Sequence, residues 1–183
     1  FSALAIHGDM EQRDRNEVLL RFTNASCQLL VATDVAARGL DVKDLEAVIN
    51  YDLSRDPEVH VHRSGRTGRA GKSGLVLNLC PPSERYRVDL IQEELALKAT
   101  WLPVPRLKNS AEAPKPAMVT LCIDGGRKQK LRPGDILGAL TGDAGLPAAD
   151  IGKIDINEFR AYVAIARKSA NLALQKLATG KIK

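Results

Sequence analysis

Residues 62–71 read HRSGRTGRAG, and three arginines recur there at every third position between small residues, namely Arg63, Arg66 and Arg69. At that spacing the three side chains can share one face of a helix. Guanidinium groups held together repel one another unless an anion neutralises them, and their planar forks match phosphate oxygens. A purely structural series of this kind would carry interleaved carboxylates, and none occurs between Glu58 and Gly71. The stretch therefore predicts a phosphate-binding site.

Short apolar runs alternate with helical patterns on both sides of this stretch. The predicted strands are Leu4–Ile6, Leu29–Ala32, Ala47–Tyr51 and Leu75–Leu79, and the predicted helices run from about Glu11 to Phe22, from near Pro57, and over Arg85–Leu97. Strands that alternate with helices predict a mostly parallel sheet covered by helices. We therefore expect an α/β fold over residues 1–100.

A proline-rich stretch, residues 101–117, has the composition of a linker and holds four of the nine prolines. Beyond it the pattern predicts β-α-β-β-α, which is one strand short of the RNA-recognition fold. The predicted elements are Val119–Ile123, Pro133–Leu140, Ile151–Ile156, Tyr162–Ala166 and Arg167–Leu177. We therefore expect a small α+β domain over residues 118–183 whose last strand is missing. We also expect the sequence to begin, at Phe1, in the middle of the first domain.

Charge is divided unevenly between the two parts. Residues 1–116 carry sixteen Lys and Arg against sixteen Asp and Glu, whereas residues 117–183 carry eleven against six. A basic excess on a small domain favours polyanions, because each phosphate contact releases condensed counterions. Acidic protein partners and an ordinary solvated surface stay open on charge alone.

Cysteine usage and hydropathy exclude several classes of protein. Cys27, Cys80 and Cys122 stand far apart with no C-x-x-C pair, so neither a disulfide framework nor a thiolate metal site is predicted. No apolar run approaches the ~20 residues that span a bilayer, and the N-terminus lacks the pattern of a secretory signal. We expect a cytoplasmic protein with no membrane partner.

Two further segments point to a family when they are taken together with residues 62–71. Residues 32–41 read ATDVAARGLD, and residues 6–9 read IHGD, followed by Gln12 and Arg15. Residues 32–41 resemble motif V of the DEAD-box RNA helicases, residues 62–69 resemble their motif VI, and Gln12-x-x-Arg15 resembles their Q-x-x-R motif. The resemblance is continuous over residues 1–100. It implies a partial RecA-like second lobe and, for the full-length protein, an RNA-stimulated ATPase.

The resemblance implies roles in nucleotide binding. Arg66 and Arg69 would reach the γ-phosphate of ATP held by the other lobe, with Arg69 as the arginine finger. Asp41 would accept a hydrogen bond from the ribose, although a turn-forming or helix-capping aspartate is the open alternative, and Gly39 would lie beside the nucleotide. His62 would couple nucleotide to RNA. Mg²⁺ would arrive with ATP on the acidic motif of the absent first lobe, so this chain alone is expected to be inactive.

The resemblance also implies an RNA-binding surface. A glycine lets a phosphate approach its backbone N–H, and an arginine supplies charge. The candidates are Thr33, Arg38, Gly39, His7, Gly8, Gln12 and Arg15. Gln12 and Arg15 carry an alternative interpretation, because any solvent-facing helix offers such residues.

Two patterns resemble sites of other kinds. Residues 66–73 nearly spell the phosphate loop G-x-x-x-x-G-K-S, but Arg66 replaces its first glycine and a strand is predicted to follow, so we interpret the segment as a turn. His60 and His62 form an H-x-H pair without a third ligand, so no metal site is predicted in this chain.

The second part resembles the C-terminal RNA-binding domain of the DbpA subfamily of these helicases, through residues 118–128, 132–142 and 151–154. His60 fits that subfamily, whereas Ser64 departs from the usual isoleucine and is expected to loosen packing beneath the arginines. The resemblance implies a hairpin of large-subunit ribosomal RNA as partner, and a role in assembling that subunit.

Basic residues in or near loops of this part favour recognition of RNA backbone and shape, although each of them is also typical of a solvated loop. They are Arg127, Lys128, Lys130, Arg132 and Lys153. Tyr162 is the aromatic candidate for base stacking, which we expect to be weak because the first strand offers Cys122 instead. A non-enzymatic RNA-binding or annealing module on a helicase-like scaffold is the open alternative to the helicase.

Overall fold

The computed structural model describes residues 1–37, 42, 44–68, 73–104, 113–180 and 182. The chain divides into two compact units, residues 1–37 with 112–183, and residues 38–111. The placement of a linker at residues 101–117 between domains stays a prediction.

The first unit begins with a β-α-β segment. Strand β1 (Ala3–Ile6) and strand β2 (Leu29–Ala32) pair in parallel, joined by helix α1 (Gln12–Thr23), and a short helix α2 (Asp34–Ala37) follows. An acidic residue in the first turn of α1 and a basic residue in its last turn complement the helix dipole. A parallel pair needs such a crossover, so the predicted alternation of strands and helices is confirmed here.

The second unit repeats the parallel arrangement. Strand β3 (Ala47–Asn50) pairs in parallel with strand β4 (Leu75–Asn78), with helix α3 (Pro57–Ser64) between them and helix α4 (Arg85–Leu95) after them. Helix α3 begins at Pro57 because Asp56 caps it, accepting a hydrogen bond from the Glu58 N–H at 2.9 Å.

The prediction that three arginines share a helical face is wrong. Helix α3 ends at Ser64, so Arg63 lies in its last turn and Arg66 in the turn that follows. Gly65 occupies the C-cap, and Gly68 adopts a φ of 67°, which only glycine adopts at little cost. The helix therefore ends at Ser64, inside a run whose arginine spacing is helical, and Gly68 turns the chain beyond it.

The first unit also contains the predicted β-α-β-β-α domain. Its elements are strand β5 (Met118–Ile123), helix α5 (Pro133–Gly138) continued by a π-helical turn (Ala139–Asp143), strand β6 (Ile151–Ile156), strand β7 (Ala161–Ala166) and helix α6 (Ala170–Thr179). The sheet is antiparallel in the order β5-β7-β6. The predicted order of elements is therefore confirmed.

Alternation along β7 builds the core of this domain. Val163 and Ile165 point to one face of the sheet and are 0% exposed, and they pack with Ile136 and Leu140 of the helical layer. Burying side chains of this size contributes about 1.5–3 kcal/mol each. Because the large apolar positions lie on one face of the strand, the other face is left to polar and small residues.

Candidate nucleotide and nucleic-acid interface

Three candidate RNA-contacting residues meet at one edge of the β1–β2 pair. His7 and Gly8 follow β1 directly, and Thr33 follows β2. The Thr33 N–H donates to the Ile6 carbonyl oxygen at 3.4 Å, and a Cβ added at Gly8 would meet nothing within 4 Å. The carboxyl edge of parallel strands is where open α/β sheets bind ligands. The structure therefore places these residues together on an accessible edge.

Gln12 and Arg15 differ from each other in the structure. Gln12 is exposed and donates from Nε2 to the Oδ1 atom of Asn16 at 2.8 Å. Arg15 is half-buried, and its Nη2 donates to the Ala36 carbonyl oxygen at 3.2 Å. Arg15 thus ties α1 to the short helix that precedes residues 38–41.

Four predicted site residues lie outside the described residues: Arg38, Gly39, Asp41 and Arg69. Their assigned roles stay predictions. The described part of the chain reaches Ala37 before the first three of them and Gly68 before Arg69.

The turn that carries Arg66 is anchored on its neighbours. The Arg66 carbonyl oxygen accepts from the Leu45 N–H at 3.1 Å, and the Thr67 hydroxyl donates to the Leu45 carbonyl oxygen. Thr67 is 7% exposed, and a Cβ added at Gly74 would lie 2.4 Å from the Gly68 nitrogen. The backbone of this turn is therefore held on two sides.

Arg63 is engaged with the interior of its own unit. Its Nη1 donates to the Asp52 carbonyl oxygen at 2.7 Å and to Oδ1 of Asn50 at 3.2 Å. Asn50 is 3% exposed, and its Nδ2 donates to Oδ1 of Asn78 at 2.8 Å. The sequence pattern treats the arginines alike and misses Asn50, although a polar residue that ends an apolar strand is a signal that could have found it.

His60 and Ser64 contact each other. His60 is 7% exposed, and its Nε2 lies 3.3 Å from the Ser64 hydroxyl one turn later on α3. Burial, together with the positive charge of Arg63, lowers the pKa of His60. Neighbouring His62 is exposed and borders a shallow groove that also contains Glu58 and Glu94.

The buried His60 predicts a pH dependence of stability. The unfolded chain binds a proton at this histidine near pH 6.5, whereas the folded chain resists protonation, so stability is full above about pH 6.5 and falls as the pH decreases through that value. Thermal denaturation between pH 7.5 and 5.5 should show a smaller loss of stability in His60→Gln than in the wild type. His7→Gln is the exposed control, and an unchanged pH profile in His60→Gln would contradict the assignment.

The basic loop after β5 is fixed by backbone hydrogen bonds to the hairpin between β6 and β7. The Arg127 N–H donates to the Asn157 carbonyl oxygen at 2.9 Å, and the Lys128 N–H donates to the Glu158 carbonyl oxygen at 2.9 Å. At Gly126 a Cβ would lie 2.4 Å from the Asn157 oxygen. Only glycine allows this close approach.

The predicted basic residues divide into two groups. Lys128 pairs with Glu158 at 3.2 Å, and Lys153 pairs with Asp155 at 2.8 Å. The other three, Arg127, Lys130 and Arg132, are exposed, and their side chains have no ion pair within the part of the chain that the structure describes. The backbone N–H of Arg132 donates to Oδ2 of Asp135 at 2.8 Å. The guanidinium and ammonium groups of these three residues are available to an external anion.

Tyr162 is covered. It lies on β7 between Cys122 of β5 and Asp155 of β6, and it is 6% exposed. Burial raises the pKa of its phenol. Stacking a base on this ring would require the covering side chains to move.

Neither a metal site nor a membrane span is present among the described residues. No group of three or more His, Cys, Asp or Glu side chains there is arranged to hold a metal ion. No helix in the same ranges is both long enough and apolar enough to cross a bilayer.

Comparison with known protein families assigns both parts of the chain. Residues 1–71 match the model of the helicase conserved C-terminal domain, and residues 120–183 match the model of the DbpA RNA binding domain. The ATP-dependent RNA helicase DbpA of Escherichia coli K12 is 55% identical over 182 residues, which is 100% of this chain and 40% of that protein. The DbpA of Bacillus subtilis 168 is 38% identical over 87% of this chain and 38% of its own length.

The chain thus spans about two fifths of the length of these curated relatives. Among solved structures, a DEAD box protein from the hyperthermophile Methanococcus jannaschii is similar at a TM-score of 0.51 and 45% identity, over 54% of this chain and 27% of that one. The predicted α/β class with a partial RecA-like lobe is confirmed.

Proposed function

Because the chain belongs to the DEAD-box RNA helicases and is DbpA-like in both of its parts, we propose that the complete protein is an ATP-dependent RNA helicase whose nucleotide site closes between this lobe and a second one. This chain supplies half of that site. The observation that carries the proposal is the turn of Arg66, whose backbone is hydrogen-bonded to Leu45 through Arg66 and held there by the Thr67 hydroxyl. Arg69 follows Arg66 three residues later in the sequence.

In this site Arg66 and Arg69 neutralise the charge that develops on the transferred phosphoryl group, with Arg69 as the finger. Asp41 accepts a hydrogen bond from the ribose, and Gly39 lies beside the nucleotide. The guanidinium groups of this chain suit the phosphate of ATP. Mg²⁺, which neutralises phosphate charge when bound, would be held by carboxylates of the other lobe. His62 couples nucleotide to RNA.

RNA lies along the carboxyl edge of the β1–β2 pair in this proposal. The edge brings Thr33 next to His7 and Gly8, and the contacts extend to Arg38, Gly39, Gln12 and Arg15. The open space at Gly8 admits a phosphate to the backbone. Arg15 contributes by holding α2 in place.

The second part recognises structured RNA, which we propose to be a hairpin of large-subunit ribosomal RNA near the peptidyl-transferase centre, during assembly of that subunit in the cytoplasm. Arg127, Lys130 and Arg132 have no ion pair within the described residues and lie on or beside a loop fixed to its neighbours. The side chain of Tyr162 is buried, so its ring offers little surface on which a base could stack. Both features support recognition of backbone and shape. Lys128 and Lys153 contribute weaker contacts because they are already paired.

Replacing Arg127, Lys130 and Arg132 together by alanine should weaken RNA binding and reduce the slope of log K against log salt by about 3, since each of the three cations neutralises one phosphate. Fluorescence titrations with a labelled ribosomal hairpin across several salt concentrations measure this slope. Lys176→Ala, a change at an exposed lysine of α6, is the matched control. An unchanged slope in the triple variant would remove these residues from the interface.

The function as a whole is tested by ATP hydrolysis. The complete protein should hydrolyse ATP when a large-subunit ribosomal hairpin is added, and much less with a hairpin of equal length and unrelated sequence. Equal stimulation by both hairpins would contradict the proposed ribosomal target, and no stimulation by either would contradict the helicase itself.

A further inference from the structure

The carboxyl ends of β3 and β4 carry two asparagines that are register partners, Asn50 and Asn78. Asn50 is 3% exposed, so its amide must find partners within the protein. Its Nδ2 donates to Oδ1 of Asn78 at 2.8 Å, and its Oδ1 accepts from Nη1 of Arg63 at 3.2 Å. Both ends of this buried amide are therefore used, one towards the neighbouring strand and one towards α3.

Arg63 completes a clamp at the end of α3. The same Nη1 that reaches Asn50 also donates to the Asp52 carbonyl oxygen at 2.7 Å. The last turn of α3 is thus tied to the end of β3 by two hydrogen bonds from one charged group. Hydrogen bonds from a charged donor are shorter and stronger than those between neutral groups.

The clamp lies directly before the turn that carries Arg66. The Gly65 N–H donates to the Val61 carbonyl oxygen at 2.8 Å, and the Arg66 N–H donates to the Arg63 carbonyl oxygen at 3.2 Å. At its far end the turn is held by its hydrogen bonds to Leu45. The orientation of the turn is therefore set by the clamp on one side and by Leu45 on the other.

We propose that Asn50 and Arg63 are positioning residues, which aim the turn carrying Arg66 at the terminal phosphate. Arg63 thereby differs in role from the two arginines that follow it. Asn50 acts through Arg63 and does not touch the nucleotide. The inference rests on the proposed function, because it concerns the aim of the same guanidinium groups.

The test is steady-state ATP hydrolysis by the complete protein with saturating RNA. Removing the Asn50 amide in Asn50→Leu should lower kcat roughly 10- to 100-fold, because a misplacement of about 1 Å at a catalytic group has an effect of that order. KM for ATP and the affinity for RNA should change little. Asn50→Asp, which keeps the acceptor for Arg63, should restore most of kcat, and Asn171→Leu is an exposed-asparagine control.

A double variant separates positioning from general destabilisation. If Asn50 acts through Arg63, the double variant Asn50→Leu with Arg63→Gln should be little worse than the more damaged single variant, because both changes break one interaction. If Asn50→Leu does not fold, which circular dichroism detects, Asn50→Ser replaces it in the same comparison.

Three results would overturn the inference: a wild-type kcat in Asn50→Leu and Asn50→Ser, effects that multiply in the double variant, or a failure of Asn50→Asp to restore turnover. Each of these requires an active wild-type protein. An inactive wild type would instead refute the proposed function, and the inference with it, so the two failures are distinguishable.

Discussion

Replacing Arg69 by alanine in the complete protein should lower kcat for RNA-stimulated ATP hydrolysis by about 10³-fold or more. The guanidinium group of a finger stabilises charge that is larger in the transition state than in the ground state, so its removal acts mainly on kcat. KM for ATP should change much less, since in the proposed site most nucleotide contacts come from the other lobe. Steady-state hydrolysis at saturating RNA measures both parameters.

Arg85→Ala is the matched control for this experiment. Arg85 is an exposed arginine of α4 whose guanidinium lies 4.9 Å from the centre of the Trp101 ring, and it is remote in sequence from the turn that carries Arg66. Its replacement should leave turnover within about twofold of the wild type, as surface changes usually do. If Arg69→Ala behaves like Arg85→Ala, the finger assignment is wrong.

The second large effect is expected at Gly126. In Gly126→Ala the new Cβ would lie 2.4 Å from the Asn157 carbonyl oxygen and 2.8 Å from the Arg160 nitrogen, and both are backbone atoms that cannot rotate away. Overpacking of this kind costs typically about 1–3 kcal/mol. The loop would leave the hairpin, so both the stability of this domain and its affinity for RNA should fall.

Thermal denaturation and RNA titration measure the two consequences. A destabilisation of about 1 kcal/mol corresponds to roughly 4–8 °C in Tm for a domain of this size. Gly138→Ala is the control, because a Cβ there meets nothing within 4 Å and alanine is favoured in a helix. Wild-type Tm and RNA affinity in Gly126→Ala would show that the loop does not depend on this close approach.

The pattern of apolar side chains predicts strands β6 and β7 of this protein well. Strand β6 has the predicted bounds, Ile151–Ile156, and β7 differs from its prediction by one residue. Both strands have one apolar face, and that pattern is present in the sequence itself. Arginine spacing is a poorer guide at helix α3. The three-residue spacing of the arginines suggests a longer helix, but α3 ends at Ser64 with Gly65 as its C-cap.

The parts of the candidate site that depend on distant partners could not be predicted. Asn50 meets Arg63 and Asn78, which are 13 and 28 residues away, and nothing local in the sequence reports those contacts. The same holds for Tyr162, whose ring is covered by tertiary packing. The sequence does not distinguish Lys128 from the basic residues near it. The fold does, because it places Glu158 within 3.2 Å of Lys128.

The central claim is that guanidinium groups at and after the turn of Arg66 bind the terminal phosphate of a nucleotide presented by another lobe. Its most direct measurement compares the affinities of ADP and of ADP with beryllium fluoride, a mimic of the terminal phosphate, for the complete protein with RNA bound. We expect Arg69→Ala to bind ADP as the wild type does but to lose most of the additional affinity that beryllium fluoride confers. Equal gain from beryllium fluoride in both proteins would contradict it.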